Sequence, residues 1–430
     1  MFKEKVANVI KVLEGKLIER EELIRLTMLC IFARHHMFLI GKPGVGKTYA
    51  IQTISKTISD ATYWEILMTK ETQEKQLVGT EDTPKEQTLL VHPFIFFDEM
   101  FKATDELLVA LLALLNERRW TIGGKGIPVP LNSLFSASNE LPFGEKIEPF
   151  SDRILVWYEV QRIQEEANMK NYVRGVFDRT KTMGETFTMA DIQKAQEMAE
   201  EVEIGEEIVD CYLRLKSEIS RNNIKASDRK FGPDFIVRAL RVSAVLNDRK
   251  HLDYSDLLLL KHMSWTDYNE RNRLFGVVTR VIFGDENAIR ARLLEIERFY
   301  KEAFSRWDAK CFKFIQFQIT YSHSIYNDNI QYCLAFQQEA QQAFDALQSI
   351  INLYEHSNKV LEQVENNILL WDVKNIPFTP DLLSLMDKLF AEIDFGLKKI
   401  NQFVENYGDA YAYQEALYNK LSDNTPKEKD

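Results

Sequence analysis

The strongest constraint on this chain lies at residues 41–48, where the letters GKPGVGKT follow an apolar run and precede a helical pattern. This is the GxxxxGK[ST] arrangement of a phosphate-binding loop, in which glycines let successive backbone N–H groups point at one anion. Lys47 is expected to bridge the outer phosphates of a nucleotide, and the Thr48 hydroxyl to hold Mg²⁺. A chance glycine turn is the alternative, and the strand–loop–helix context disfavours it. The predicted binding residues are Gly41, Pro43, Gly44, Val45, Gly46, Lys47 and Thr48.

A parallel sheet is predicted around this loop. Apolar runs of strand length alternate with helical periodicity up to about residue 178, which is the pattern of an α/β fold. Polar-rich helices are predicted for about 179–270. Three long amphipathic stripes follow between about 285 and 421, the second of them extending to Trp371, and they can bury their apolar faces only against one another or a partner. The predicted strands are Met37–Ile40, Tyr63–Met68, Phe94–Phe97, Leu134–Ser138 and Ile154–Val160.

Composition narrows the function classes. The 430 residues include 54 basic and 65 acidic side chains, a net charge of −11 that disfavours a general nucleic-acid coat. No apolar run approaches the roughly 18 residues of a membrane span, and the N-terminus lacks the pattern of a signal peptide. Four widely spaced cysteines without a CxxC pair fit a reducing compartment, so the sequence predicts a cytoplasmic protein without a disulfide framework.

Two acids follow a predicted buried strand, since Asp98 and Glu99 come directly after Phe94–Phe97. Carboxylates delivered to the C-terminal edge of a parallel sheet lie where α/β proteins bind ligands. Asp98 is expected to contact Mg²⁺ through water, and Glu99 to polarise the attacking water. A strand that ends in two solvated acids is common. We interpret this one as a Walker B motif because it lies downstream of a phosphate-binding loop.

Two further polar features follow. Asn139 ends the run 134–138, where its amide could orient the lytic water; a turn asparagine is the alternative. Arg153, in the sequence Ser151-Asp152-Arg153, could enter the site of a neighbouring subunit and neutralise charge on the transferred phosphoryl group. The alternative for Arg153 is a surface pair with Asp152, which would contribute little.

Together these motifs resemble the MoxR family of AAA+ ATPases, and most closely its RavA-type branch, over about residues 1–270. The likeness rests on GKPGVGKT, IFFDEMFKA, LLALLNERRW, FSASNELP, SDRI and the later SDRK at 227–230. It implies that Asn139 is the sensor 1 residue and Arg153 the arginine finger that acts in trans. It further implies that Arg229 is a sensor 2 arginine that reaches the γ-phosphate in cis, and that Leu17 and Ile18 contact adenine.

The resemblance also implies the domain organisation. The expected fold is an α/β AAA+ P-loop core with a parallel sheet and flanking helices, an all-α lid, and an elongated C-terminal bundle of three helices. The corresponding segments are 1–178, 179–270 and 271–430. Two departures from the family accompany this expectation: the stretch 73–92 is short for the β-hairpin insert before the Walker B strand, and no β-rich domain is predicted after residue 270. A glycine-turned hairpin is predicted at 118–129.

Three functions remain open at this level. The first is an oligomeric ATPase, expected to be a hexameric ring or spiral, that uses Mg²⁺ and ATP to remodel or activate a protein partner with a von Willebrand A domain. The second is a nucleic-acid-dependent AAA+ motor, such as a helicase or restriction-type translocase, which the acidic balance disfavours. The third is a nucleotide-switched scaffold, against which Glu99 and Asn139 argue. The absence of an [NT]KxD motif favours ATP over GTP.

Overall fold

The structure is a computed structural model in which the chain separates into two compact units. The first unit comprises residues 1–282 and 359–375, and the second comprises 283–358 and 376–430. The structure describes residues 2–141, 147–175, 184–224, 227–316, 323–371 and 377–422, and of 308–330, 403 and 406–422 only the backbone. The sequence predicted a boundary near residue 270 and assigned everything beyond it to one bundle. In the structure, residues 359–375 belong instead to the first unit.

A five-stranded parallel sheet forms the centre of the first unit, and its strands lie in the order β2 (Tyr63–Leu67), β3 (Phe94–Asp98), β6 (Ser133–Ser138), β1 (Met37–Ile40) and β7 (Val156–Glu159). The run Met37–Ile40 was predicted residue for residue, and the other four strands lie within two residues of their predicted bounds. Burial on both faces explains the continuous apolar runs, since β1 and β6 are buried throughout.

The register brings the C-terminal ends of four strands to one edge of the sheet. Asp98 at the end of β3 lies opposite Ala137, and Ile40 at the end of β1 lies between Ser138 and Glu159. The segments that follow these strands therefore start side by side. This is the edge where the sequence placed the phosphate-binding loop and the acidic and amide side chains.

Helices cover the sheet, and an antiparallel hairpin precedes β6. The hairpin pairs β4 (Arg119–Ile122) with β5 (Lys125–Pro128) across Gly123 and Gly124, both at positive φ, as the sequence predicted. Trp120 of the hairpin is buried and donates to Glu74 Oε1 at 2.7 Å. The helices of this part are α1 (Phe2–Glu14), α2 (Glu21–Ala33), α3 (Lys47–Ser55), α4 (Glu74–Val78), α5 (Asp105–Glu117), α6 (Glu148–Ser151) and α7 (Glu166–Arg174).

An all-helical subdomain completes the first unit. Its third helical segment begins as a π-helix at Pro233–Val237 and continues as an α-helix that packs against both α2 and the first helix of the subdomain. Thr188 caps that first helix in a capping box with Asp191. Its helices are α8 (Met189–Glu200), α9 (Glu206–Arg221), α10 (Arg238–Leu246), α11 (Tyr254–Leu257) and α12 (Tyr268–Phe283).

The segment 359–375 joins the first unit through a buried asparagine. Asn367 accepts from Asn247 Nδ2 at 2.9 Å and donates to Ser255 Oγ at 2.9 Å. The Arg25 guanidinium bonds the carbonyl oxygen of Ile368 at 3.1 Å and lies over the Trp371 ring. Buried polar groups of this kind need their partners, so this segment is an integral part of the first unit.

The described residues of the second unit are helical except for the short stretches 284–285 and 377–379. Leu293, Leu347 and Leu389, one from each of its three long helices, are fully buried in a common apolar core. Close approach of two helices occurs at Gly396, where a Cβ atom would lie 2.1 Å from the Tyr300 hydroxyl. Its helices are α13 (Glu286–Gln316), α14 (His323–Asn366), whose residues from Lys359 belong to the first unit, and α15 (Pro380–Ser422).

Two expectations for this region meet different outcomes. The three-helix prediction is confirmed, but the second helix ends at Asn366 rather than continuing to Trp371, because Asn367 turns away into its polar contacts with the first unit.

Among the described residues, no helix has the length and apolar character needed to cross a membrane.

Candidate nucleotide-binding site

The loop between β1 and α3 has the backbone shape of a phosphate-binding loop. Gly44 and Gly46 adopt φ values of 81° and 82°, in the left-handed region that glycine tolerates. Gly41 is needed for a different reason, since a Cβ atom there would lie 2.6 Å from the Val160 carbonyl oxygen. The loop therefore curls tightly and leads into the N-terminus of α3, where Thr48 lies in the first turn.

Lys47 is held by oxygen atoms on both sides of this loop. Its buried ammonium donates to the Gly41 carbonyl oxygen at 2.6 Å and to Asn139 Oδ1 at 2.9 Å. Asn139 follows β6, so this bond joins two neighbouring strand ends of the sheet. The structure thus brings together the lysine and the amide that the sequence analysis assigned to nucleotide binding and to sensor 1.

Glu99 lies in the same cluster and is almost completely buried, with 5% of its surface exposed. Its carboxylate accepts from the Asn139 backbone N–H and from Ser138 Oγ, both at 3.2 Å, and pairs with Lys102 at 3.4 Å. Its φ of 56° turns the chain sharply directly after β3. A non-glycine residue at positive φ is uncommon, and such strain is concentrated at functional sites. Ser138 and Lys102 are site residues that sequence analysis missed.

Burial and neighbouring charges shift the pKa values of Asp98 and Lys47. Burial raises the pKa of Asp98, and the neighbouring Glu99 charge raises it further, against the lowering effect of Lys47. Burial lowers the pKa of Lys47, while Asp98 and Glu99 act to raise it. The two adjacent carboxylates therefore repel each other, and a divalent cation beside Asp98 would relieve that repulsion. Among the described residues, no group of three or more His, Cys, Asp or Glu side chains is arranged for metal binding.

A cleft of about 430 Å³ opens beside the phosphate-binding loop. Leu17 and Ile18 line it together with Pro43–Gly46, so the structure brings the predicted base contacts to the same cavity as the loop. A further wall of the cleft, which no sequence motif indicated, includes Met169 and Tyr172 of α7. Both are exposed, at 42% and 49%, which is consistent with an apolar surface left open for a planar ligand.

Glu19 fixes that wall through the N-terminus of α7. Its carboxylate accepts from the backbone N–H groups of Gln164 and Glu165 at 2.6 and 3.0 Å and from Asn168 Nδ2 at 3.0 Å. Burial alone would raise the pKa of Glu19, but these hydrogen bonds outweigh it and lower the pKa. Glu19 thus caps a helix about 145 residues further along the chain, which no local sequence pattern could have indicated.

Arg153 and Arg229 lie in a second cavity, of about 420 Å³, which we call the arginine pocket. The two guanidinium groups are close enough that Arg229 lowers the pKa of Arg153, after the larger effect of burial. Arg229 donates to Asn116 Oδ1 at 2.6 Å. Among the described residues, the pocket shares no lining residue with the cleft at the phosphate-binding loop. The arginines of the pocket are Arg34, Arg118, Arg153, Arg229 and Arg238.

The expectation that Arg229 reaches the nucleotide of its own chain stays a prediction, and two contacts explain why Arg229 lies in the same pocket as Arg153. Ser227 Oγ donates to Asp152 Oδ1 at 2.9 Å, and the buried Lys230 ammonium donates to the Ser151 carbonyl oxygen at 2.6 Å. Together they tie the loop that carries Arg229 to the end of α6, directly before Arg153. Asp152 thus accepts a hydrogen bond from Ser227, while its charge also acts to raise the pKa of the neighbouring Arg153.

Known families match both the α/β part and the helical subdomain of this chain. Residues 4–200 match the family described as the MoxR domain in the MoxR-vWA-beta-propeller ternary systems, and residues 207–278 match the AAA lid domain. Two uncharacterised proteins of Methanocaldococcus jannaschii are each 33% identical, one over 302 residues (68% of this chain, 77% of that protein) and one over 270 residues (60% and 70%). Chaperone MoxR1 of Mycobacterium tuberculosis is 26% identical over 143 residues, covering 32% of this chain and 38% of that protein.

Among solved structures, a candidate ATPase from Cytophaga hutchinsonii superposes with a TM-score of 0.54 at 18% identity, covering 65% of this chain and 95% of that one. This likeness shows the fold. With the two family matches, the strand-loop-helix site and the helical lid, the chain belongs to the MoxR family of AAA+ ATPases, as its motifs predicted. Membership implies nucleotide binding, whereas the RavA-type branch stays a prediction.

Proposed function

We propose that this chain is an ATPase that assembles into a ring or spiral, with six subunits as the expected number, and hydrolyses ATP between neighbouring subunits to remodel or activate a protein partner. The observation that carries the proposal is the separation of the catalytic groups. Lys47, Asp98, Glu99 and Asn139 surround the phosphate-binding loop, while Arg153 and Arg229 line a different cavity of the same chain. A site divided in this way is completed when one subunit supplies the loop and its neighbour supplies the arginines.

Within one subunit, the loop residues would hold the phosphates and the cleft would hold the base. The backbone N–H groups of 44–46 and the Lys47 ammonium would meet the β- and γ-phosphates, and Leu17, Ile18 and Tyr172 would enclose adenine. Glu99 acts as the base that polarises the attacking water, since its carboxylate is held in place by Ser138 and by the Asn139 N–H. The Asn139 side chain orients Lys47 and the water.

Mg²⁺ fits this site on chemical grounds. Mg²⁺ needs few protein ligands and retains several waters, so the Thr48 hydroxyl and the Asp98 carboxylate, the latter through water, suffice as oxygen donors. The mutual repulsion of Asp98 and Glu99 supports a cation at this position. When bound, the cation would neutralise charge on the phosphate oxygens.

From the neighbouring subunit, Arg153 and Arg229 would approach the γ-phosphate together. Guanidinium groups match phosphate oxygens bidentately and stabilise charge on the transferred group. Because Ser227 bonds Asp152 and Lys230 bonds Ser151, the segments that carry the two arginines would move together. We therefore propose that Arg229 acts in trans beside Arg153 rather than in cis.

For the partner, we propose a protein with a von Willebrand A domain. The support is the description of the matched family, which names systems that combine MoxR, vWA and β-propeller components. The net charge of −11 supports a protein partner over a nucleic acid.

Glu99→Gln tests the proposal. The amide keeps the shape of the side chain but cannot polarise water, so the variant should bind ATP with wild-type affinity, lose steady-state hydrolysis and retain a co-expressed vWA-domain protein in a pull-down with ATP. Glu86→Gln is the matched control, because Glu86 is exposed on a short helix outside the cluster. Wild-type turnover by Glu99→Gln would contradict the assignment of the base.

Two other outcomes would redirect the proposal. If DNA or RNA stimulates wild-type turnover with a steep dependence on salt, the chain is a nucleic-acid motor. If the wild type shows a single burst of phosphate without steady-state turnover, it is a nucleotide-switched scaffold.

A further inference from the structure

Three arginines of the arginine pocket are not used by the proposed hydrolysis, and they lie at the meeting point of the α/β part and the lid. Arg34 ends α2 and Arg118 ends α5, each in the left-handed conformation with φ of 55° and 51°. Arg238 begins α10, directly after the π-helical turn. Isolated π-helical turns and left-handed non-glycine residues are both enriched at functional sites.

Hydrogen bonds hold two of these side chains but leave donors available. Arg118 donates through Nη2 to the Arg34 carbonyl oxygen at 2.8 Å and through Nε to the Leu131 carbonyl oxygen at 3.0 Å. Arg238 donates to Gln196 Oε1 at 3.3 Å, while its buried Nε finds no partner within the described part of the chain. The Arg34 guanidinium likewise makes no hydrogen bond to another described residue. An unpaired buried donor is costly, and an anion in the pocket would remove that cost.

The positive charges of this cluster act on one another. Burial lowers the pKa of Arg118 to about 10, with further lowering by Arg34 and Arg238. Burial also lowers the pKa of Arg34, and Arg238 adds to it. Like charges that depress one another in a partly buried pocket destabilise the fold unless an opposite charge joins them.

The other titratable groups of the pocket do not supply that opposite charge. Burial keeps His35 and His36 neutral by lowering the pKa of each, and each ring bonds a backbone carbonyl oxygen, of Phe235 and Leu115 respectively. Two acids also line the pocket. Asp228 pairs with Lys216 and its side chain is 95% exposed, and Asp234 is the other. Five arginines against two carboxylates leave the lining positive.

We propose that the arginine pocket is an anion-binding site within a single subunit, in which Arg34, Arg118 and Arg238 hold a compact phosphate-class dianion. Its volume of about 420 Å³ leaves room for a phosphate group with bridging waters. The planar guanidinium forks of Arg34 and Arg238 match phosphate oxygens in a bidentate geometry. Free inorganic phosphate and the phosphates of a nucleotide carry the same chemistry, so both are possible sources. The site needs neither hydrolysis nor a neighbouring subunit and thus goes beyond the proposed function.

The test uses the full-length chain with Lys47→Ala, which disables the phosphate-binding loop. Inorganic phosphate and ADP are titrated separately by calorimetry, and the Tm is followed at constant ionic strength with chloride as the reference anion. One of the two should bind and raise the Tm, because a ligand that binds only the folded state stabilises it. Binding of phosphate identifies the free anion as the source, and binding of ADP alone identifies the nucleotide.

Matched arginine variants in the same Lys47→Ala background decide whether the pocket is responsible. Arg238→Gln and Arg34→Gln should each weaken anion binding at least about tenfold, equivalent to about 1.4 kcal/mol. Arg241→Gln, one turn further along α10 and paired with Glu200, should leave it unchanged. The proposal would be overturned if Arg238→Gln and Arg34→Gln, shown by circular dichroism to be folded, bind the anion as tightly as their parent. It would also be overturned if neither anion binds at millimolar concentration. ATPase activity of the Lys47-intact chain tests the proposed function separately.

Discussion

The Lys47 ammonium lies 2.9 Å from the side-chain oxygen of Asn139, although 92 residues separate them in the chain. The bond connects the phosphate-binding loop after β1 with the turn after β6, two strands that are neighbours in the sheet. The same turn offers its backbone N–H to Glu99. One residue, Asn139, therefore positions both the lysine that meets phosphate and the carboxylate that meets water.

Removal of this amide should damage turnover more than binding. For Asn139→Ala we expect a fall in kcat of about 10²-fold, the size of effect seen when one preorganised hydrogen-bonding group is lost, with ATP affinity within a few-fold of wild type. Asn401→Ala, an exposed amide in the second unit, is the control. Steady-state kinetics measures kcat, and equilibrium binding measures the affinity for ATP. An unchanged kcat would show that Asn139 is only a turn residue.

Glu19 should act on nucleotide affinity. Glu19→Ala removes the hydrogen bonds to Gln164, Glu165 and Asn168, so the α7 wall of the base cleft loses its anchor. We expect the KM for ATP to rise about tenfold, or about 1.4 kcal/mol, with a much smaller change in kcat. Glu166→Ala, in the first turn of the same helix, should behave as wild type, since its carboxylate pairs only with the exposed Lys170 in the described part of the chain. Equal effects of the two variants would contradict this assignment.

Lys230 should make stability depend on pH in the alkaline range. Burial lowers its pKa from 10.5 to about 8, against the raising effects of Asp152 and Glu270. Between these two values the unfolded chain binds a proton that the folded chain lacks, so the contribution of Lys230 to stability rises with pH across this window. Relative to Lys230→Met, the wild type should gain stability from about pH 8 towards pH 10.5 in urea unfolding. A difference that is independent of pH would contradict this, and Lys398→Met, an exposed lysine in the second unit, serves as the control.

Asn367 should matter for the stability of the first unit. Asn367→Ala leaves Ser255 and Asn247 without their buried partner, and we expect a loss of about 1–3 kcal/mol in the free energy of unfolding. Asn366→Ala is the control, because its exposed side chain bonds only within α14 among the described residues. A truncation near residue 285 would remove Asn367 too, and it should therefore destabilise the ATPase unit. Equal urea midpoints for the two asparagine variants would contradict the structural role of Asn367.

Local sequence signals predicted most of the fold. The strand Met37–Ile40 and the glycine-turned hairpin each depend on residues close together in the chain, so both could be predicted without tertiary information. The members of the catalytic cluster could be named because each follows a strand of one parallel sheet, whose C-terminal ends must meet at one edge.

What the sequence did not reveal depends on contacts between distant segments. Glu19 caps α7 across about 145 residues, and Lys230 reaches Ser151 across 79. Trp371 continues the apolar spacing of α14, yet the helix ends at Asn366 because Asn367 is drawn into the lid. Neither periodicity nor a motif contains such information, and for this reason the location of Arg229 beside Arg153 emerged only from the structure.

The central claim is that two subunits share one active site, and mixing two inactive variants tests it most directly. Arg153→Ala should bind ATP normally and hydrolyse it slowly, since an arginine finger contributes roughly 10³–10⁵ in rate, while Lys47→Ala should fail to bind ATP. In mixed oligomers, an intact Lys47 of the Arg153→Ala chain can face an intact Arg153 of its neighbour, so ATPase activity should reappear and be greatest near equal proportions. No recovery at any proportion, in subunits shown by fluorescence transfer to exchange, would contradict the account.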